Sequence, residues 1–419
     1  MLNNPLDLAL KNHNNSVQPL YIILKKNMSN TVWILGNRSD AIEIVKNNNL
    51  RVLLLHNKKI INHKADALEQ ISFTWSKQEW EHFVEDLLKK EQQPITILAP
   101  TEKSVLPTAW INDILKLQNA NTVEVARACT HKPTMKKVAK KNEISCANFL
   151  ENESGNNKVS KQELITTLGL PMALKTCTGS GSRGAYVVKT ENEVPTFLPK
   201  GYMAENFIKG VECSIEAVVQ EGKILFQNIT EYTEPKFANL VPATFPVAIQ
   251  NKIFDFNKKI IAALGAKNGI THTEVFIQNV EQNDAEKINL VFGEMAIRPP
   301  GGYIMELLNH SYQRDFWQIW LDAFLGNKIS PISNETHFYS GLRLFHPKAG
   351  RLKAIKGTES IKSIEELEEF KLSVRAGTHI KEREGTGQSV GHIVIKGKDR
   401  QKIKSLLEEV KQKVVFEME

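Results

Sequence analysis

The chain has 419 residues, of which 41% are hydrophobic and 24% charged, so its composition is that of a globular protein and excludes disordered and fibrous classes. The 54 Lys and Arg residues exceed the 47 Asp and Glu residues, and the net charge of +7 is spread thinly over the whole chain. Such a charge suits an anionic ligand, for example a nucleotide, at least as well as a nucleic acid.

The cysteines and the apolar segments indicate the compartment. Cys129, Cys146, Cys177 and Cys213 form no C-x-x-C pair, which argues against a structural zinc site or a redox motif. Scattered free thiols are typical of a reducing cytosol. The first residues lack the charged and apolar regions of a signal peptide, and no apolar run approaches the ~18 residues of a membrane helix. We therefore expect a soluble, cytoplasmic protein without a membrane partner.

The first 118 residues predict an arm followed by a small α/β domain. Residues 1–29 are rich in Asn and Lys and are expected to form a loosely attached arm or an edge strand. After them, helical stretches alternate with three apolar strands, TVWILG (31–36), RVLLLH (51–56) and PITILAP (94–100). The alternation predicts a parallel sheet with crossover helices. The segment GNRSD after the first strand is no phosphate-binding loop, so we expect this domain to be mainly a scaffold.

The middle of the chain contains a glycine-rich turn. A helical stretch from about residue 119 and a linker-like segment at 151–163 precede it. Gly179, Gly181 and Gly184 match the pattern G-x-G-x-x-G. A Rossmann fold needs a helix directly after these glycines, but the next residues, AYVVKT, are β-branched and aromatic and predict a strand. The sequence therefore predicts a hairpin at this point.

Polar and basic residues surround this hairpin. Ser180, Ser182 and Arg183 lie between the glycines, and Lys175 ends the incoming strand. Glycines let backbone N–H groups approach a phosphate closely, and the lysine would add a point charge. One interpretation is a phosphate-binding flap. The alternative is a flexible surface hairpin with a solvated lysine.

Carboxylates recur on the strands that follow. Glu205 and Glu212 flank a glycine, Glu274 stands in THTEVFIQ, and LVFGEMAIRPPGGY carries Glu294 and Arg298. A polar turn separates the last two segments, which predicts a hairpin with both of their carboxylates on one side. Two such carboxylates suit Mg²⁺ that carries a polyphosphate. The alternative is that each carboxylate is paired with Lys or Arg across the strands.

The remaining sequence completes the fold class. Helical periodicity covers 305–326, and two strands, YSGLRLFH and QSVGHIVIKG, precede an amphipathic helix at 399–414. The lysines at 136–141 alternate with apolar residues on a predicted helix, which indicates a solvated face and argues against a nucleic-acid-binding protein. The predicted fold class is α/β followed by α+β.

In this order, the motifs over about 120–300 resemble those of the ATP-grasp superfamily of carboxylate ligases, which includes biotin carboxylase and D-alanine–D-alanine ligase. The resemblance implies an N-terminal arm, a parallel-sheet pre-ATP-grasp domain, a flexible small lid subdomain with the glycine-rich loop, a large ATP-grasp subdomain and a C-terminal lobe. The expected bounds of these segments are 1–29, 30–118, 119–202, 203–330 and 331–419.

The resemblance also implies where ATP binds. Lys132, just before a predicted helix, and Lys175 match the two phosphate-binding lysines of the superfamily, and Glu212 matches the carboxylate that holds the ribose. The phosphate loop and the hinge strand that binds adenine are matched by Gly179, Ser180, Gly181, Ser182, Glu205, Asn206, Phe207 and Ile208.

The metal site has one departure from the pattern of the superfamily. Glu274 and Glu294 match the two acids that bind Mg²⁺ (or Mn²⁺). The usual E-x-N-x-R motif is E-x-A-x-R here, and Ala296 cannot bind a metal. A second Mg²⁺ would therefore need water or another oxygen ligand.

The substrates are expected next to the metal. The resemblance makes Arg298 the substrate-binding and catalytic arginine, with Lys175 as the second catalytic group, and Gly301 and Gly302 leave room for the acceptor. His272 is either a polar contact for the amine or a structural group whose hydrogen bonds are satisfied.

The E-x-A-x-R-x-x-G-G motif and HTE at 272–274 are similar to those of amino-acid ligases that make dipeptides. The implied activity joins a small-molecule carboxylate to an amine through an acyl phosphate, with release of ADP and phosphate. The alternatives are a bicarbonate-using carboxylase of the biotin-carboxylase or purine-pathway type and a degenerate ATP-binding module. Many members form dimers, so a homodimer is compatible with the resemblance.

Overall fold

The computed structural model describes residues 30–60, 63–156, 158–386 and 388–419, so the predicted arm lies outside the described residues. Within them, the strands form four sheets of four, eight, three and four strands. This mixture of helices and strands confirms the predicted fold class. No helix of the described residues is long and apolar enough to cross a membrane.

The N-terminal domain is a parallel sheet with crossover helices. Its elements in chain order are β1 (Thr31–Leu35), α1 (Ser39–Asn47), β2 (Arg51–His56), β3 (Ala67–Gln70), α2 (Lys77–Leu87), β4 (Thr96–Leu98) and α3 (Glu102–Leu115). The strands run parallel in the order β3-β2-β1-β4. β1 and β2 are apolar runs because they are buried on both faces. The three predicted strands are confirmed, whereas the sequence pattern did not indicate β3.

The small sheet carries the glycine-rich turn. Its elements and the helices before it are α4 (Val123–Thr130), α5 (Lys132–Lys141), β5 (Phe149–Asn152), α6 (Lys161–Leu168), β6 (Met172–Thr176), β7 (Tyr186–Val188), a 3₁₀ turn (Glu191–Glu193) and β8 (Tyr202–Asn206). The strands are antiparallel in the order β5-β8-β6-β7. A strand, β7, follows the glycines, so the predicted hairpin is confirmed.

The central part of the chain forms most of the large sheet and its helices. These elements are β9 (Val211–Gln220), β10 (Lys223–Glu234), β11 (Ala238–Val241), α7 (Val247–Leu264), β12 (Gly269–Gln278), a 3₁₀ turn (Val280–Gln282), β13 (Asn289–Ala296), α8 (Ile304–Tyr312) and α9 (Phe316–Leu325). β12 and β13 form the predicted antiparallel hairpin.

The C-terminal segment extends the same sheet. Its elements are β14 (Tyr339–Phe345), β15 (Gly350–Lys356), α10 (Thr358–Lys362), β16 (Leu367–Leu372), β17 (His379–Ile380), β18 (Gly391–Gly397), α11 (Arg400–Lys413) and β19 (Val415–Met418). The large sheet has the order β13-β12-β9-β10-β11-β14-β18-β16 and thus runs across the predicted boundary between 330 and 331. The two predicted strands and the last helix are confirmed.

A shared apolar core fixes the N-terminal domain against the large sheet. Val32 and Ile34 of β1 belong to the same buried cluster as Trp317 and Trp320 of α9. The segments that follow the carboxyl ends of β1 and β4 contact residues 298–300, which lie just before α8. Loops at the carboxyl ends of parallel strands are the usual place for ligand contacts in open α/β sheets.

Candidate functional site

A cleft of about 610 Å³ lies between the small sheet, the large sheet and the N-terminal domain. The predicted site residues that line it are Lys132, Lys175, Gly179, Ser180, Gly181, Ser182, Glu205, Glu212, His272, Glu274, Glu294, Arg298, Gly301 and Gly302. Asn206, Phe207 and Ile208 follow the lining residue Glu205 at the end of β8. The Asn206 side chain accepts a hydrogen bond from the backbone N–H of Asn148 at 2.7 Å, and Phe207 is exposed.

The glycine-rich loop is tied to two other parts of the cleft. Gly179 and Gly181 have φ angles of +118° and +68°, a backbone region that favours glycine. The Gly179 carbonyl oxygen accepts a hydrogen bond from Lys132 Nζ at 2.6 Å. The Gly181 carbonyl oxygen accepts one from the backbone N–H of Thr386 at 3.0 Å. The loop therefore contacts both α5 and the C-terminal lobe.

Lys132 links the loop to the predicted metal site. It is the first residue of α5, and His131 caps this helix by accepting a hydrogen bond from the Thr134 N–H. Lys132 is 9% exposed, and its Nζ lies 3.4 Å from Glu294 Oε2. Although burial opposes the charge of Glu294, Lys132 and Lys175 lower the pKa of this carboxyl below its ordinary value.

Two lysines and a glutamate, of which Lys136 and Glu205 are buried and Lys175 is half-buried, form a charged triad. Lys175 Nζ is 2.5 Å from Glu205 Oε1, and Lys136 Nζ is 3.6 Å from Glu205 Oε2. Lys136 also donates to the Phe292 carbonyl oxygen at 3.0 Å. Burial lowers the pKa of Lys136, whereas the carboxylates around Lys175 raise its pKa despite burial. Both lysines therefore depend on Glu205 for charge compensation.

The prediction of a solvated face for the lysine run at 136–141 is wrong for Lys136, which is 1% exposed. The buried face of α5 contains Lys132, Met135, Lys136 and Ala139. Since Lys136 lies one turn after Lys132, the helical period places both on one face. The four-residue spacing from Lys132 could have identified Lys136 as buried, but the many lysines in this segment obscured that pattern.

Three carboxylates meet on β9, β12 and β13. A β-bulge sets Gly293 and Glu294 opposite Glu274, because the strand register shifts between Thr273 and Val275. Glu274 and Glu294 line the cleft together with Glu212 of β9. Burial, and then the charges of Glu274 and Glu294, raise the pKa of Glu212 to about 7. The charges of Glu274 and Glu294 thus repel a negative charge on Glu212, and a bound cation would relieve this repulsion.

His272 is held beneath these carboxylates by a buried anion. Its Nδ1 lies 2.9 Å from Glu216 Oε1, and its Nε2 lies 3.8 Å from Glu274 Oε1. Although burial opposes the charge on His272, the hydrogen bond to Glu216 and the nearby Glu274 raise its pKa to about 9. Glu216 is 1% exposed and accepts further hydrogen bonds from the side chains of Ser214, Asn228 and Thr230. Sequence reasoning missed Glu216, which has no local motif.

Arg298 lies where the N-terminal domain lines the cleft, and this part of the cleft is called its arginine end. Its Nε donates to Glu102 Oε2 at 2.8 Å, and its Nη1 donates to the Pro299 carbonyl oxygen at 3.0 Å. Glu102 is the first residue of α3 and lines the cleft. The Nη2 group of Arg298 has no hydrogen bond to any residue that the structure describes. Arg298 is therefore oriented by the N-terminal domain and keeps N–H donors for a ligand.

Arg38 is a second arginine at this end. It caps α1, in the segment GNRSD that was expected to be scaffold, and it lines the cleft. Its Nη1 and Nη2 donate to the carbonyl oxygens of Pro299 and Pro300 at 3.1 and 2.9 Å. The N-terminal domain therefore contributes Arg38 and Glu102 to the cleft. Sequence reasoning missed both, since their partners lie about 200 or more residues away in the chain.

The donor chemistry of the cleft fits a divalent cation shared with phosphate oxygens. Glu274 and Glu294 provide hard carboxylate oxygens, which Mg²⁺ prefers, usually together with water and substrate phosphates. Within the described residues, no group of three or more His, Cys, Asp or Glu side chains is arranged to hold a metal ion by itself. A metal ion bound at this site would therefore need further ligands besides these carboxylates.

Comparison with protein families gives two matches. The ATP-grasp domain family matches residues 137–306, and the family described as L-amino acid ligase C-terminal domain 2 matches residues 343–419. Among curated proteins, the L-arginine-specific L-amino acid ligase of Bacillus subtilis is 22% identical over 342 residues, which cover 75% of this chain and 78% of that protein.

Solved structures share the fold. An L-amino acid ligase from Bacillus licheniformis has a TM-score of 0.75 at 16% identity, and the match covers 93% of this chain and 98% of that one. A carboxyaminoimidazole ribonucleotide synthase from Aspergillus clavatus, complexed with ATP, has a TM-score of 0.70 at 18% identity and covers 92% and 98% of the two chains. At these identities the superpositions show the architecture only.

Proposed function

Since residues 137–306 match the ATP-grasp domain family and residues 343–419 match an L-amino acid ligase C-terminal domain, we propose that the chain uses ATP to join the carboxylate of one amino acid to the amine of another. The observation that carries the proposal is the cleft itself. Two lysines, two facing carboxylates and an arginine with free N–H donors line one cavity. These groups suit phosphoryl transfer to a carboxylate, which depends mainly on positioning and charge neutralisation.

ATP is proposed to bind at the small-sheet end. Lys132, Lys175 and the N–H groups of Gly179–Ser182 would contact the phosphates. Glu212 would accept hydrogen bonds from the ribose, and the end of β8 would contact the adenine. The support is that the buried Lys132 and the half-buried Lys175 both line the cleft, each next to a carboxylate that a phosphate group could replace as its partner.

Mg²⁺ or Mn²⁺ is proposed to bind at Glu274 and Glu294. Such an ion would neutralise phosphate charge during transfer of the phosphoryl group. The raised pKa of Glu212 supports this proposal, because beyond burial it reflects the negative charges of the neighbouring Glu274 and Glu294. Ala296 lies directly opposite His272 in the sheet and lines the cleft with a side chain that has no oxygen atom.

The acyl chemistry is proposed to occur beside Arg298. A carboxylate oxygen attacks the γ-phosphorus of ATP, ADP leaves, and an acyl phosphate forms. The amine then attacks the acyl carbon, the carbon–oxygen bond to phosphate breaks, and the nitrogen loses a proton. The free N–H groups of Arg298 would hold the carboxylate and then the developing oxyanion. Gly301 leaves space for the amine, since a Cβ there would meet no atom within 4 Å.

The test is a screen for ADP and phosphate release over pairs of amino acids, followed by mass spectrometry of the products. L-Arginine belongs in the screen because the curated relative is named for it. Release that requires two amino acids and yields a dipeptide mass is the expected result. Turnover with bicarbonate and no amino acid would instead assign a carboxylase. AMP and pyrophosphate as products would contradict the acyl-phosphate mechanism.

The remaining predictions belong to the same proposal. They are the five-segment division of the chain, a cytoplasmic location and a homodimer. Light scattering of the full chain tests the dimer, and a monomer at the concentration used for the assay would contradict it. Limited proteolysis tests the proposed boundaries between the lid, the large subdomain and the C-terminal lobe.

A further inference from the structure

Two guanidinium groups share one backbone oxygen at the Arg298 end of the cleft. Arg38 Nη1 and Arg298 Nη1 donate to the same Pro299 carbonyl oxygen, at 3.1 and 3.0 Å. The two nitrogens are thus no farther apart than about 6 Å, since each lies near 3 Å from that oxygen. The acyl chemistry proposed above needs one cation here, so the second has no assigned role.

Among the described residues, no carboxylate oxygen lies closer than 3.8 Å to the Arg38 guanidinium. The ion pair that it forms among the described residues is with Asp40, at 3.8 Å from its Nε, and the Asp40 side chain is 41% exposed. Glu306 also acts on Arg38 electrostatically, but no ion pair within 4.0 Å joins the two side chains in the described part of the chain. Burial lowers the pKa of Arg38, and the neighbouring Arg298 lowers it further. An anion in the cleft would compensate this charge.

The Arg38 side chain is held in place before any ligand binds. Its guanidinium lies over the Trp317 ring, 4.4 Å from the ring centre, and its two hydrogen bonds to Pro299 and Pro300 fix the plane of the group. A guanidinium has five N–H donors, so these bonds leave others available. An arginine fixed in this way loses little conformational entropy when it binds a carboxylate.

We propose that Arg38 binds the carboxylate of the amine substrate, so that the acceptor is a free amino acid or the amino end of a short peptide. The inference rests on the proposed ligase function and adds a specificity residue from the N-terminal domain. The open space beside Gly301 follows directly after Pro300, whose carbonyl oxygen binds Arg38. An acceptor there would have its amine towards the acyl group at Arg298 and its carboxylate towards Arg38.

A role limited to fixing the Pro299–Pro300 turn makes a different prediction. Such a role would affect all acceptors alike, because the turn orients Arg298 whatever amine attacks. Carboxylate recognition affects only acceptors that carry a carboxylate. The comparison of an amino acid with its own amide therefore separates the two roles, since the amide keeps the side chain and the amine.

The experiment measures KM and kcat for one acceptor amino acid and for its amide, with donor and ATP saturating, in the parent and in Arg38→Gln. We expect KM for the free amino acid to rise about 10- to 100-fold, the size typical of a lost charge-assisted hydrogen bond. KM for the amide and for ATP should change by less than about twofold. Arg38→Lys should retain part of the preference for the free acid.

The control is Arg51→Gln, in the same domain, which breaks the Arg51–Glu91 ion pair, neither member of which lines the cleft. It should leave both KM values unchanged. Equal losses for the amino acid and the amide in Arg38→Gln would overturn the inference but not the ligase function. If Arg38→Gln does not fold, the unsubstituted protein provides the test. Equal kcat/KM values for the free amino acid and its amide, at matched concentrations of free amine, would also overturn the inference. No amine-dependent ADP release in the parent would overturn the ligase function itself.

Discussion

The two ends of the cleft hold their cations in different ways. At the small-sheet end, Lys132, Lys136 and Lys175 each lie within 3.6 Å of a carboxylate oxygen. At the other end, Arg38 and Arg298 are held largely by backbone carbonyl oxygens, and Arg298 has one close carboxylate partner. The first set balances its charge within the protein, whereas the second keeps N–H donors open.

This difference has a consequence for ligand binding. A nucleotide with its metal would exchange partners at the small-sheet end, because lysines would turn from carboxylates to phosphates and the carboxylates to the metal. A carboxylate at the arginine end would add a partner without displacing one. Substitutions at the first end should therefore change stability and turnover together. Substitutions at the second end should change turnover or selectivity with little effect on stability.

The largest expected effect is that of Glu294→Gln on turnover. The substitution keeps the shape of the side chain but removes a proposed metal ligand and the partner of Lys132. Phosphate release should fall by at least about 10²-fold, the typical cost of losing an electrostatic group at a reaction centre. The matched control is Glu281→Gln in the exposed turn of the same hairpin. A fall of less than about threefold would contradict the assignment of β13 to the metal site.

Arg298→Lys tests the arginine end. The guanidinium donates to Glu102 and to the Pro299 carbonyl oxygen and still has donors for a ligand, which an ammonium group cannot match in geometry. Turnover should fall about 10²-fold, while the affinity for an ATP analogue and the urea midpoint stay near those of the parent. Arg314→Lys on the exposed surface is the control. Equal losses of turnover and nucleotide affinity would contradict the proposal that the two ends of the cleft have different functions.

The sequence predicted the small-sheet end better than the arginine end. The reason is the separation along the chain between residues that contact each other. The glycine-rich hairpin and the carboxylates of β12 and β13 are local patterns, and the family resemblance depends on their order along the chain. Glu102 instead meets its partner across 196 residues, and Arg38 meets Pro300 across 262. Each is a single charged residue in an ordinary loop or helix start. Only the packing of β1 and β4 against α9 brings them to the cleft.

The same argument applies to the fold. Strands β1 and β2 of the N-terminal sheet are continuous apolar runs and could be predicted, because both of their faces are buried. The edge strand β3, with the sequence ALEQ and no fully buried residue, carries no such pattern. Likewise β16 and β19 are short and partly exposed, so pairing across the C-terminal lobe defines them rather than local composition.

Lys136→Met tests whether the pairing of lysines with carboxylates at the small-sheet end stabilises the folded protein. The substitution leaves Glu205 with one lysine and the Phe292 carbonyl oxygen without its donor. The free energy of unfolding should fall by about 3 kcal/mol in urea titration, as for other broken buried ion pairs. Adding Glu205→Gln should recover part of this loss. Lys137→Met, whose lysine side chain is 62% exposed, should cost almost nothing, and an equal loss in both lysine variants would refute the coupling.

The smallest expected effect concerns the pH dependence of stability through Glu212. Its pKa is about 7 in the folded protein against an ordinary value of 4.5, so the folded state binds more protons than the unfolded state between these pH values. Glutamine resembles the protonated carboxyl. Glu212→Gln should therefore match the parent below about pH 4.5, become progressively more stable than it up to about pH 7, and keep that advantage at higher pH.

An advantage of about 1–2 kcal/mol is expected, since partial exposure of Glu212 reduces the effect of its pKa shift. Unfolding titrations at several pH values measure it in the absence of nucleotide and metal. Glu286→Gln, at an exposed position after β12, is the control for a general change in net charge. A stability difference that does not vary with pH would indicate altered packing. It would also remove the raised pKa as support for a cation site, because that support rests on the repulsion of Glu212 by Glu274 and Glu294.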